Sequence, residues 1–373
     1  MSSFDRFLQI QENLLGVDLG YDSVKIVALK KRGNQNYLKS FNIVNIPAKA
    51  NQQKDIADRV IADAIKNACR TARPRIFEKT AVSGLPESKV FTKIIQIPKM
   101  TDEELAVAVP TEAARHIPIP QNELYLDWFS LGPASQNSLN VLIVAAPRYL
   151  VDNYFKIFKS IGIDLIALET KPIAAARAIA KKGEQGTFLI LDIGAAAIGI
   201  SIYDVDSIKF TYTVPHGGNT LTKSLANSLK ITDVEAEKLK RETGFKKDPK
   251  LNLIAAMSPV INDVIEEINN AIKFYETRTK PARKISEIRL CGGGALTPEI
   301  ATYLTETTGK KTNIANPFVN IASRTWRKMP QEQIFSRFRT LHFQNNSDHS
   351  ASQRAYRSSR SNRGSIASFL DIR

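Results

Sequence analysis

Two apolar runs, each ending in Asp-x-Gly, set the organisation of the chain. "LLGVDLGYDSVKIV" (residues 14–27) and "LILDIGAAAIGISI" (residues 189–202) both read as an apolar strand, a bend of small or polar residues, and a second β-rich run. Placing Asp18 on Asp192 aligns Val17 with Leu191, Leu19 with Ile193, Gly20 with Gly194, Val24 with Ile198 and Ile26 with Ile200. The pattern predicts two β-hairpins and an internal duplication of one structural unit. Asp18 and Asp192 are lone carboxylates in apolar surroundings, and a buried charge is costly unless it is paired or given to a ligand. Two such bends facing each other would offer carboxylates to a hydrated metal ion, and glycines that let backbone N–H groups approach phosphates. Taken singly, either aspartate also reads as a turn residue bonding its own backbone.

The remaining periodicity fills out the plan. A third strand is expected over Tyr37–Ile46, then a helix over Lys54–Thr71 with Ile61, Ile65 and Ala68 on one face, then a strand over Thr80–Ser83. The rhythm changes next: strand Lys89–Pro98, helix Thr101–Ile117 opened by a Thr101/Glu104 capping box, and strands Leu124–Gly132 and Leu139–Pro147, a βαββ unit. The first block resumes with helix Arg148–Ile161, strand Leu165–Leu168 and helix Pro172–Lys181, and Gly183–Gly186 links it to the second half. There the plan repeats: hairpin Phe188–Tyr203, strand Ser207–Val214, a helix entered at Thr220, and helices Asp233–Glu242 and Ser258–Thr279. "ISEIRLCGGGALTPEIATYL" closes it with a strand, three glycines and a helix opened by Pro298, whose N-terminus suits an anionic ligand. The expected organisation is an N-terminal extension (1–13), a first lobe (14–83 and 148–183), an inserted βαββ subdomain (84–147), and a second lobe (186–330) with a helical subdomain at 220–284. A basic Ser/Arg-rich tail (331–373) is expected to be disordered.

Composition narrows the partners. The 373 residues, 43% hydrophobic, suffice for two domains with their own cores. Lys plus Arg number 52 against 37 Asp plus Glu, a net charge of +15 that favours anionic partners. Basic residues are scattered, as in Lys30-Lys31-Arg32, Lys246-Lys247 and Lys310-Lys311, which argues against specific nucleic-acid binding. Two cysteines, Cys69 and Cys291, lack metal-ligand spacing and fit a reducing compartment. With no apolar run of ~20 residues and no basic start leading into an apolar signal core, a cytoplasmic location is expected.

"LLGVDLGYDSVK", "LILDIGAAAIGISIY" and "IRLCGGGALTPEI" together resemble the two phosphate motifs and the adenosine motif of the actin-like ATPase superfamily. "GLPESKVFTKIIQIPKMTDEELAVAVPTEAARHIPIPQNELYLDWFSLG", followed by "VLIVAAP", is similar to the PilM family of type IV pilus assembly proteins, relatives of the division protein FtsA. The resemblance implies an α/β actin-like fold of two lobes, built from duplicated ribonuclease-H-like units around an ATP or ADP cleft, with an insert of the FtsA and PilM type. It further implies a cytoplasmic scaffold at the inner face of the cell membrane that binds the short N-terminal tail of a PilN-like membrane protein. Self-association into a ring or filament also follows from it, and membrane contact is expected through that partner or through the basic charge of the tail.

Carried over residue by residue, Asp18 and Asp192 match the carboxylates near Mg2+, acting through water, and Gly20, Gly194 and Ala195 match the phosphate loops. Lys25 matches the lysine of the first motif, though an exposed strand lysine accounts for it equally. "AEKLK" resembles the helix lining the nucleoside, with Glu237 for ribose hydroxyls and Lys240 beside adenine; an ordinary solvated helix face is the alternative. Gly218 and Asn219 fall in the "GGNTLT" entry to the helical subdomain, and Gly292, Gly293 and Gly294 in the adenosine loop. Glu169 occupies the connecting position where a polar side chain can orient an attacking water, or it is a helix-entry dipole partner.

Two other functions share these motifs. An FtsA-like membrane-associated filament protein would need an amphipathic C-terminus, for which "SIASFLDIR" is short; a sugar or acetate kinase would need an acceptor pocket with its own base, and no acceptor motif is present. PilM-like second motifs usually carry hydroxyl residues where Ala195, Ala196 and Ala197 stand, so the chain is expected to bind nucleotide better than it hydrolyses it, as at most a slow ATPase.

Overall fold

A computed structural model describes residues 13–33, 35–46, 54–205, 207–247, 252–278 and 283–322. The 331–373 tail, with its expected membrane contact, and nearly all of the 1–13 extension lie outside these residues. In chain order, β1 (Asn13–Leu19) and β2 (Ser23–Arg32) form the first hairpin, followed by β3 (Gln35–Asn45), α1 (Lys54–Thr71) and β4 (Thr80–Leu85). A 3-10 turn at Glu87–Lys89 leads into β5 (Phe91–Pro98), α2 (Asp102–Ala114), β6 (Leu124–Ser135) and β7 (Ser138–Pro147). Then come α3 (Arg148–Ser160), β8 (Asp164–Thr170) and α4 (Lys171–Ile179). The second half comprises β9 (Thr187–Ile193), β10 (Ile198–Asp204), β11 (Ser207–Val214), α5 (Gly218–Leu229), α6 (Asp233–Glu242) and α7 (Leu253–Arg278). It ends with β12 (Glu287–Cys291), a 3-10 turn at Gly293–Leu296, α8 (Ile300–Thr308) and β13 (Lys311–Ile314).

The duplicated sequence produces the same sheet twice. One sheet has the order β3-β2-β1-β4-β8 and the other β11-β10-β9-β12-β13. In each, three antiparallel strands are extended by two parallel ones. Leu15, Val17 and Ile26 of the first sheet bury against Ile65 and Ala68 of α1 and Val151 and Phe158 of α3. Leu191, Ile193 and Ile200 of the second bury against Leu225 of α5, Met257 and Ile268 of α7, and Leu304 of α8.

The insert is a three-stranded sheet, β5-β7-β6, covered on both faces. Strand alternation sends Val141 and Ile143 of β7 to α2, where they meet Leu105, Val109 and Ala113. Leu142 and Val144 point the other way, onto Ile173 and Ala176 of α4 and Phe188 and Ile190 of β9. The insert is therefore wedged against the connecting helix and the second sheet. Thr101 caps α2 with the full capping box.

The chain passes between the lobes at residues 180–186 and again at 315–322, and one side chain stitches the two passages together. Asn320 donates to the carbonyls of Ala180 (2.6 Å) and Arg177 (3.1 Å) and accepts from the Lys182 amide (3.0 Å). Beyond it, the Ala322 amide donates to Asn36 of β3 at 2.8 Å, and Phe318 and Ile321 cover Val27 and Leu29.

Several boundaries differ from the sequence reading, each for a local reason. α7 starts at Leu253 rather than Ser258: Asn252 Oδ1 accepts from the Ala255 amide, and the Ser258 hydroxyl serves the Ala255 carbonyl that Pro259 cannot. α5 starts at Gly218 because the amides of Gly218 and Asn219 bond the carbonyls of Gly194 and Ala195 (both 2.9 Å). Glu299 adopts a left-handed conformation, so α8 opens at Ile300, after Pro298. β13, four residues of mostly polar sequence, gives no periodic signal and is found only by its pairing with β12. Among the described residues, no helix is long and apolar enough to cross a membrane.

Candidate functional site

The two Asp-x-Gly bends close in the same way. The Gly20 amide donates to the Ser23 carbonyl (2.9 Å) and the Gly194 amide to the Ala197 carbonyl (3.0 Å), equivalent positions of the duplication. A Cβ on Gly20 would lie 2.9 Å from the Ser23 carbonyl, and one on Gly194 2.7 Å from that of Ala197, so neither turn tolerates a larger residue. The bends face each other across a cavity of about 810 Å³ that draws its walls from both lobes. That volume is within the range of small-molecule and cofactor sites. Of the residues singled out above, Asp18, Gly20, Lys25, Asp192, Gly194, Ala195, Gly218, Asn219, Glu237, Lys240 and Gly292, Gly293 and Gly294 all line it.

Asp18, 3% exposed, is held between two ammonium groups: Lys25, its cross-strand partner on β2, at 3.0 Å, and Lys171 at 2.7 Å. Lys171 also donates to the Leu19 carbonyl at 3.0 Å. Burial disfavours its charge, but Asp18 outweighs that, and the ammonium is held above its ordinary value. Asp192 has a different neighbourhood. The position opposite it on β10, equivalent to Lys25, is Gly199, and the space a side chain would take there is bordered by the carboxylate of Glu87. Glu87 belongs to the 3-10 turn after β4, and it accepts from the Thr213 hydroxyl of β11 at 3.1 Å, joining the two lobes. Burial raises its carboxyl above the ordinary value, Thr211 and Thr213 pull it down, and the charge of Asp192 pushes it up again.

The rest of the cavity is braced by hydrogen bonds. Lys240 is 6% exposed and donates to the Gly218 carbonyl (2.8 Å) and the Thr222 hydroxyl (2.6 Å), and pairs with Glu237 at 2.6 Å. Its ammonium thus ties α6 to the first turn of α5, and burial lowers its affinity for the proton. Burial would raise the Glu237 carboxyl, but Lys240, Thr222 and Arg241 together bring it down to about 2. Asn219 reaches across to Asp22 of the first bend, at 3.4 Å. Gly292 (φ +80°) lies so close to Asp192 that a Cβ would collide with its Oδ1 and with the Ile193 carbonyl, and one on Gly294 would strike the Ile193 side chain.

Glu169 is where sequence and structure part. It is absent from the cavity lining, buried, and ion-paired with Arg177 of α4. The side chain at the cleft comes from Lys171, two residues on. A lysine on the first turn of a helix opposes the helix dipole, and that anomaly was the available signal for an acidic partner elsewhere. Glu87 carried no signal in the chain; it is found only once β4 and β12 are seen to end in equivalent turns. Among the described residues, no cluster of three or more His, Cys, Asp or Glu side chains could enclose a metal ion. A cation that keeps most of its waters, held through one or two carboxylates and a phosphate chain, is the kind such a site fits.

The comparisons with known proteins agree with this architecture. The family model described as "Type IV pilus assembly protein PilM" matches residues 16–338. The solved PilM-PilN type IV pilus biogenesis complex contains a chain 26% identical to this one, with a TM-score of 0.74, covering 86% of this chain and 94% of that one. Cell division protein FtsA of Streptococcus pneumoniae is 23% identical over 350 residues, 81% of this chain and 75% of its own length. FtsA of Enterococcus hirae is 23% identical over 354 residues, with shares of 81% and 78%. The chain has the actin-like ATPase fold and belongs to the PilM family of type IV pilus assembly proteins.

Proposed function

We propose that this protein is a nucleotide-binding scaffold of a pilus assembly platform, holding ATP or ADP with Mg2+ between its lobes. The observation that carries the reading is the convergence of two Asp-x-Gly bends and a triple-glycine turn on one cavity, each approached so closely that a Cβ would be refused. Gly20 and Gly194 use their own amides to close the bends, so phosphate oxygens would be met by the amides that follow, Ala195 among them. Lys25 and Lys171 supply positive charge on the first-lobe side, while Asp192 faces the cleft as a carboxylate for a hydrated Mg2+. Asp18 is already ion-paired with Lys25 and Lys171, which leaves Asp192 as the carboxylate for the ion. Mg2+ held there would supply positive charge against the phosphate chain. Gly292, Gly293 and Gly294 would present backbone to the adenosine, with Glu237 and Lys240 also on the cavity wall. Hydrolysis has little support, because Glu169 faces Arg177 and the 195–197 turn offers no hydroxyl. Isothermal titration tests the reading: micromolar to submillimolar affinity for ATP or ADP with Mg2+ supports it, and no binding at millimolar nucleotide refutes it.

The partner in this reading is the cytoplasmic tail of a PilN-like membrane protein, which would keep the scaffold at the inner face of the membrane. The solved relative in complex with PilN supports it. The insert is the docking region, near Phe91–Ile97 and α2, where Val107 is 74% exposed. Removing the whole insert would uncover Ile173, Phe188 and Ile190, so a surface change is the better test. Val107→Glu should weaken co-purification with a PilN-like tail peptide while leaving nucleotide binding intact; unchanged capture would move the docking site elsewhere.

A further inference from the structure

The two Asp-x-Gly carboxylates have different neighbours. On the first-lobe side Asp18 is matched by two lysines. On the second-lobe side Asp192 stands beside another carboxylate, Glu87, over the open position at Gly199.

The duplication shows why Glu87 is there. Val17 pairs with Ser83 between β1 and β4, so Asp18 stands beside Gly84; Asp192 pairs with Cys291 between β9 and β12. Counting on from each pair sets Leu85, Pro86 and Glu87 against Gly292, Gly293 and Gly294. Both runs enter a 3-10 turn at the mouth of their sheet, at Glu87–Lys89 and Gly293–Leu296. The second turn carries hydrogen where the first carries a carboxylate that crosses to the other lobe. Thr213 occupies Oε2 of that carboxylate, and Oε1 is buried without a hydrogen-bond partner. An orphaned, buried carboxylate oxygen on the wall of a cavity costs free energy unless a ligand or its hydration completes it.

We propose that Glu87 makes nucleotide binding conditional on a divalent cation, its charge opposing the bare phosphate chain and accepting one accompanied by a hydrated metal ion. The inference rests on the nucleotide reading above. Two like charges brought together in a partly dry cleft repel by far more than in water. A phosphate chain entering without its cation meets Glu87 and Asp192 together. With the cation present, that repulsion becomes attraction, and Oε1 gains a partner in the water around the ion.

The experiment is isothermal titration of ATP into the full chain in excess Mg2+ and in excess EDTA, for the wild type and three variants. Wild type should bind about tenfold or more tightly with Mg2+. Glu87→Gln keeps an oxygen for the Thr213 hydroxyl but not the charge; its ratio should fall to about threefold or less, chiefly because binding in EDTA improves. Glu87→Ala should give the same collapse even if the turn loosens, and Glu87→Asp, which keeps the charge, should retain most of the ratio. A ratio unchanged in Glu87→Gln and Glu87→Ala, with wild type binding normally, overturns the role of Glu87 alone. A wild type that binds ATP in neither condition overturns the nucleotide reading and this inference with it.

Discussion

The carboxylate of Asp18 and the ammonium of Lys171 meet at 2.7 Å, joining the tip of the first hairpin to the helix that connects the two lobes. Asp18 is 3% exposed, so losing a partner there leaves its charge poorly solvated. The pair is therefore structural as well as electrostatic. Lys171→Met should destabilise the first lobe by about 2–4 kcal/mol, because Asp18 would keep only Lys25. Asp18→Asn in the same background should cost clearly less than it does alone. Urea denaturation of the two single variants and the double variant measures this, and simple additivity would show the pair to be uncoupled.

Glu237 gives a pH dependence with a definite sign. Its carboxyl is held at about 2 in the folded chain, against an ordinary value of 4.5. The folded state thus binds fewer protons than the unfolded state between these values, and stability rises with pH across that window. The contribution is complete above the ordinary value and is lost as pH falls toward 2. Thermal melts from pH 6 to pH 3 should show a steeper loss for wild type than for Glu237→Gln, whose acid limb should be flatter.

Two glycines with positive φ make a controlled comparison. Gly292 (φ +80°) is packed against Asp192 and Ile193, whereas Gly309 (φ +67°) faces open space. Gly309→Ala should cost about 1–2 kcal/mol for the backbone conformation alone. Gly292→Ala should cost about 2 kcal/mol more, because the strand end and the 3-10 turn must separate. Equal losses in melting temperature would mean that the approach at Gly292 relaxes freely.

Turnover should be slow. Three alanines stand where hydroxyls could meet a reacting phosphate, and Glu169, the expected water-orienting group, is ion-paired with Arg177 and does not line the cavity. Loss of one preorganised donor typically costs ~10² in rate. Single-turnover hydrolysis in the presence of the partner tail should stay below about one per second. A rate of several per second that Asp192→Ala abolishes would contradict this.

Much of the fold was legible because its signals are local. The matched Asp-x-Gly bends, the Thr101 capping box and the facing apolar stripe of α1 are all written in contiguous residues. What escaped depends on distance. β13 pairs only because β12 lies beside it, Glu169 turned away because Arg177 lies eight residues onward, about two turns along α4, and Glu87 entered the cleft because two sheets end alike. Lys240 was legible as a cleft residue, but its ammonium is taken up by Gly218 and Thr222, which only the packing of α6 on α5 could reveal.

The two passages between the lobes, sewn side by side through Asn320, limit how the halves can move. One covalent connection would let them swivel and twist as well as open. Two adjacent strands of chain, tied through a single amide side chain to Arg177, Ala180 and Lys182, leave less freedom to swivel and twist than one connection would. Opening of the cleft should then register most directly as a change in the distance between labels on its two rims.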